Sequence, residues 1–169
     1  SGAAGSSIMA TGNGFTLGNA ADVAGFVTAG TLTVGTFTVT LNDQDVAELG
    51  PTTRLNGGTL NADNGLEVGN GETLQGVGTI TTATGALTIQ SGGTLTPGNS
   101  PGIINANNLV LESGSIYVVE LNSPYQTAGT DYDQTNVTGT VTINNATLQL
   151  QGGAAAPAAG TAVVIIQND

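Results

Sequence analysis

Residues 86–95 read ALTIQSGGTL, and the same frame returns as GLEVGNGETL at 65–74, NLVLESGSIY at 108–117 and TVTINNATLQL at 140–150. The leading anchors Leu66, Leu87 and Leu109 are spaced by 21 and 22 residues, and Val141 follows after a longer insertion. A period of that size is the mark of solenoid coils, in which each turn of chain presents its apolar positions where the previous turn did. Inside a copy, Leu87, Ile89 and Leu95 are apolar while Thr88, Thr94 and Thr96 are polar. That alternation is the period of a strand with one buried face. It recurs in Thr31-Leu32-Thr33-Val34 and again from Thr36 to Leu41, with Gly35 shifting the phase by one, which predicts a bend or bulge at a corner.

Composition points the same way. Hydrophobic residues make up 38% of the 169, charged residues only 8%, and 27 are Gly, a balance that favours many short strands and tight turns over helices or disorder. One helix-like stretch, residues 42–49, has Asn42 as a cap and acidic residues in its first turn, and predicts at most a turn or two. Short strands between Gly-Asn, Gly-Gly and Asn-Asn turns fit either a β-solenoid or a β-sandwich. The constant period favours a parallel β-helix, with the sandwich as the alternative. The expected organisation is a single domain over 1–169, less regular over 1–50, with repeat coils over 51–169 that end in an apolar strand.

One Arg, no Lys, no His and 12 acidic residues give a formal charge of −11. Such a chain repels polyanions, so nucleic-acid binding and attachment to an anionic membrane surface are not expected. No apolar run is long enough to span a bilayer as a helix, so membrane insertion is not expected either. The lack of Cys removes disulfides, thiol catalysis and thiolate metal sites. Trypsin-like proteases find one cleavage site, Arg54, which suits a harsh extracellular setting. The chain begins at Ser1 with no charged-then-apolar leader, and the expectation is a processed segment.

Four stretches carry a family resemblance: GGTLTPGNSPG at 92–102, NLVLESGS at 108–115, AGTDYDQTNVTGTV at 128–141 and VVIIQND at 163–169. Together they resemble the β-strand repeats of bacterial autotransporter passengers and related giant extracellular surface proteins, over residues 85–169. The resemblance implies a right-handed parallel β-helix, exported to the cell surface and serving as a non-catalytic stalk or fibre.

Candidate chemistry is sparse, and no enzyme is expected. A lyase needs a base, and Arg54 is the only cationic side chain; a hydrolase would have to be built from Asp131, Asp133 and Glu120. No further cofactor is expected beyond calcium, for which Asp131 and Asp133, at i and i+2 in GTDYDQ, are the candidate ligands; the bland reading is a turn in which Asp131 bonds backbone. Asp43 with Asp45 is a weaker pair of the same kind. The Thr-x-Thr pairs drift from coil to coil, which argues against an ice-binding face. Asn136 and Asn145 head Asn-x-Thr tripeptides.

Residues 97–102 contain two Pro-Gly pairs. Pro97-Gly98 and Pro101-Gly102 each suit the centre of a type II turn, which predicts a preorganised corner. The closing run AVVII at 162–166 is apolar on both faces. It predicts a strand buried from two sides, with Val163, Val164, Ile165 and Ile166 as assembly residues against another copy of the chain. The expected partner is therefore the chain itself, stacked head to tail into a filament or surface fibre. The second expectation is an adhesin surface for glycans, suggested by Tyr117, Tyr125 and Tyr132 lying in one region.

Overall fold

Thr, Val, Ile and Leu alternate along most of the chain, and the result in a computed structural model is strand: 54% strand, with no helix among the described residues. The structure describes residues 7–9, 15–18, 31–42, 46–153 and 156–169. In chain order the strands begin with β1 (Ser7–Met9), β2 (Phe15–Gly18), β3 (Thr31–Val34), β4 (Thr38–Asn42), β5 (Ala47–Glu48) and β6 (Thr52–Ala62). Next come β7 (Leu66–Val68), β8 (Thr73–Thr81), β9 (Leu87–Ile89), β10 (Thr94–Pro97), β11 (Ile103–Ala106) and β12 (Leu109–Leu111). The order closes with β13 (Ile116–Glu120), β14 (Gln134–Val137), β15 (Val141–Ile143), β16 (Thr147–Gln151) and β17 (Ile166–Asn168).

Successive strands do not pair with each other. They pair with the strand one period away, always in parallel, which gives three ladders. The first runs β1-β3-β6-β8-β10-β13-β16. A second passes through β2, β4, the later halves of β6 and β8, then β11, β14 and β17. The third is a separate sheet, β5-β7-β9-β12-β15. Among the described residues, both antiparallel contacts, Gly76 with Gly98 and Leu121 with Tyr132, are isolated bridges. A sandwich of antiparallel hairpins is therefore replaced by parallel strands in a curled sheet, an arrangement compatible with a β-solenoid.

The repeat read from the sequence is the register of the third ladder: Leu66, Leu87, Leu109 and Val141 lie directly opposite one another. Val68, Ile89, Leu111 and Ile143 form the next row. The longer insertion before Val141 holds the loop between β13 and β14. Leu32, Leu74, Leu95 and Tyr117 are buried along the first ladder, and Val39, Leu60, Ile80, Ala106 and Val137 along the second. All belong to one core that runs from Leu32 to Val137. Outward on the first ladder, Thr31, Thr52, Thr73 and Thr94 stand in register. The next outward row is mixed: Thr33, Arg54, Gln75 and Thr96.

Corners need glycine where coils approach closely. Between the first two ladders, β6 has Gly57 and Gly58 where β8 has one residue, and the register shifts there. A Cβ on Gly58 would run into the carbonyl oxygens of Gly35 and Phe37 on the preceding coil. That preceding corner lies at Gly35, where the sequence places it: β3 ends at Val34 and β4 starts at Thr38.

Three local expectations are corrected. No helical turn occupies the described part of 42–49: Asn42 ends β4 and Ala47–Glu48 is a strand, while Asp43 and Asp45 lie outside the described residues. Parallel pairing to β7 overrides the capping signal. The run at 162–166 is not a strand either; β17 starts only at Ile166. Finally, Pro97 is the last residue of β10, and Gly102 is not among the positive-φ glycines, so the second Pro-Gly pair is not a type II turn.

Candidate functional site

The Pro-Gly corner is held in place by Asp133. Gly98 adopts φ of 92° and its N–H donates to Gly76 O at 2.7 Å, which turns the chain out of β10. At the far end of the corner, Gly102 N–H donates to Asp133 Oδ1 at 2.8 Å, while Glu120 N–H donates to Asp133 Oδ2 at 2.8 Å. Gly102 is needed for room: a Cβ there would press into Val77 and Gly98. Asp133 is 2% exposed, and burial outweighs the two amides, so that its carboxyl is pushed up to about 6.

Asp131 works the same way on another segment. Its Oδ2 accepts from Gln126 N–H and Thr127 N–H, both at 2.9 Å, and its own carbonyl accepts from Asn122 N–H at 2.6 Å. The two carboxylates that the sequence offers to calcium thus face different stretches of backbone, and three of their four oxygens already accept N–H groups. Among the described residues there is no group of three or more His, Cys, Asp or Glu suited to a metal.

The corner, Asp133 and several residues of the first ladder line one cleft of about 240 Å³. Arg54 and Gln75 supply one side of it, Asn99 and Ser100 the corner, and Glu120 and Gln151 the other side. The Gln75 carboxamide lies against the Arg54 guanidinium at 2.9 Å. Glu120 Oε1 accepts from Asn122 Nδ2 at 2.8 Å. The structure therefore brings together Arg54, Glu120 and Asp133, but Asp131 does not line the cleft. What sequence reasoning missed is that Arg54 and Gln75 are stacked neighbours in register, a fact that follows from the 21-residue period once it is applied to 52–55.

A second feature is apolar. From β3 onward the inward hydrophobic side chains are buried until the last coil, where Ile143 is 56% exposed, Leu148 49% and Leu150 60%. Ile143 and Leu148 line a cavity of about 150 Å³ with Leu111, Tyr117, Ala146 and Ile166. Of the expected assembly residues, Val164 is 47% exposed, and Val163, Ile165 and Ile166 are half-buried. Their backbone is bound to their own chain: Ile165 O accepts from Tyr117 Oη at 2.8 Å and from Thr135 N–H at 2.9 Å, and Val164 O accepts from Gln134 Nε2 at 2.6 Å. The apolar end is therefore centred on Ile143, Leu148 and Leu150. They are the inward positions of the last repeat copy, 140–150.

Tyr117, Tyr125 and Tyr132 are buried, so they form no aromatic patch on the surface. Elsewhere Glu48 and Glu67 stand opposite each other in β5 and β7. Burial, then the charge of Glu48, raises the Glu67 carboxyl above the usual range; burial chiefly does the same for Glu72, against the hydrogen bond from Gly69 N–H. Compared with family models, curated proteins and solved structures, the chain matches none.

Proposed function

We propose that the chain is an extracellular structural protein of the bacterial cell surface, a right-handed β-solenoid whose copies stack head to tail into a filament or surface fibre. The observation that carries this reading is the exposure of Ile143, Leu148 and Leu150 at ladder positions that earlier coils bury. A further coil laid on that end would cover them. Among the described residues, β16 pairs only with β13, and β15 only with β12, so their other edges offer a row of backbone donors and acceptors. The strands at the opposite end of the ladders run in the same direction, so a second copy continues each ladder in parallel without inversion. A contact of that kind does not close on itself and propagates. Right-handed winding is the hand that parallel crossovers favour, and the resemblance of 85–169 to surface-protein repeats supports export and the role of a stalk. The shortage of Lys and Arg suits a protease-rich setting.

The test is electron microscopy and light scattering of the purified chain beside an Ile143→Glu, Leu148→Glu variant. Filaments in the parent chain and their loss in a variant that still melts cooperatively are expected. Monodisperse monomers of the parent chain at high concentration would sink the reading.

A further inference from the structure

The cleft beside the Pro-Gly corner has a lining that the fold does not require. Asp133 is explained by its amides, but Arg54 is not: it is exposed, it is the only cationic side chain in a chain of charge −11, and among the described residues it is held by a carboxamide rather than by a carboxylate. Around it stand Gln75, Asn99, Ser100 and Gln151, side chains that both donate and accept, with the Glu120 carboxylate opposite. Apolar surface is almost absent from the lining, which excludes a lipid or aromatic ligand. At about 240 Å³ the space is below that of drug-sized pockets and suits one small ring.

We propose that this cleft binds a carboxylated sugar, a uronate residue. The Arg54 guanidinium takes the carboxylate, for which its planar fork is matched. The amides and hydroxyl of Gln75, Asn99, Ser100 and Gln151 meet the ring hydroxyls, and Glu120 accepts from a hydroxyl at the far side. In the negative field of this protein free anions are repelled, so selection for the acidic sugar rests on Arg54 alone. With no aromatic face to stack on, the site is weak and works as a repeated contact along a surface rather than as a tight single receptor. Gln151 ends β16, the strand on which the next copy stacks, so the repetition rests on the proposed filament, whereas the Arg54 contact, on β6, is present in a single chain.

Saturation-transfer NMR and titration calorimetry with glucuronate and galacturonate test it, beside glucose, galactose and the zwitterion glutamine. The uronates should bind about tenfold more tightly than their neutral counterparts, the factor one charge-assisted hydrogen bond confers. Arg54→Gln should erase that preference with an unchanged melting temperature, and Arg54→Lys, which keeps the charge without the fork, should fall between. No uronate binding, equal binding of neutral sugars, tighter binding of glutamine, or a preference that survives Arg54→Gln would each overturn the assignment.

Discussion

Asp133 accepts the backbone N–H of Gly102 across 31 positions of sequence, at 2.8 Å, and so fastens the Pro-Gly corner to the coil that follows it. Its other oxygen takes Glu120 N–H. One buried carboxylate thus ties the far end of the corner to the last residue of β13. Asp133→Ala leaves both donors buried without a partner, and the expected loss is about 3 kcal/mol in urea unfolding. Asp133→Asn keeps one acceptor and removes a buried charge, so it should cost much less than Ala at neutral pH.

The same residue sets a pH dependence. The folded chain holds the Asp133 proton up to about pH 6, whereas the unfolded chain releases it near 3.8. Between those values the folded state binds more protons, so stability is greatest below the lower value and falls as pH rises through the window. Glu67 and Glu72, whose carboxyls are also raised, contribute with the same sign. The melting temperature should therefore rise from neutral pH to about pH 4.5. In Asp133→Asn the rise should be smaller, with the remainder due to the glutamates and to lower net repulsion. A melting temperature that falls on mild acidification would contradict this account.

Most of the ladder order was legible because a stacked coil must repeat its inward residues. Leu66, Leu87, Leu109 and Val141 state one row outright, and Gly35 marks a corner. What was not legible came from contacts between coils. The capping signal of Asn42 lost to pairing of Ala47–Glu48 with β7. The apolar run at 162–166 reads as a strand because nothing in it shows that Tyr117 and Gln134 take its carbonyls. The cleft was hidden for a related reason: Arg54, Asn99 and Gln151 are far apart in sequence and meet only through register. Asp131 and Asp133 look alike in GTDYDQ, yet one serves its own loop and the other a distant corner.

Tyr117 crosses from the first ladder to the second. Its hydroxyl, within hydrogen-bond distance of Thr135 Oγ1 at 3.0 Å, donates to Ile165 O at 2.8 Å, and burial raises its ionisation far above the ordinary range. Tyr117→Phe should cost about 1–3 kcal/mol, because two polar partners lose their bond in a dry site. The loss is local: hydrogen exchange should accelerate at Ile166–Asn168, which Ile165 introduces, and stay unchanged in β7 and β9. Uniform acceleration across the ladders would mean that Tyr117 supports the whole core instead.

Thr53 sits in the buried row of the first ladder, between Leu32 and Leu74. It is fully buried, and its Oγ1 has no hydrogen-bond partner among the described residues. Coil stacking asks for an apolar side chain there, and a desolvated hydroxyl with nothing to bond is a cost that the fold carries. Thr53→Val keeps the shape and the β-branch and removes that hydroxyl. Stability should rise by about 1–2 kcal/mol in urea unfolding. The neighbouring Thr52, which points outward in the solvated Thr row, is the control, and Thr52→Val should change stability by less than about 0.5 kcal/mol. If Thr53→Val instead lowers stability, the hydroxyl has a partner in solution and the inward row is wetter than its leucines imply.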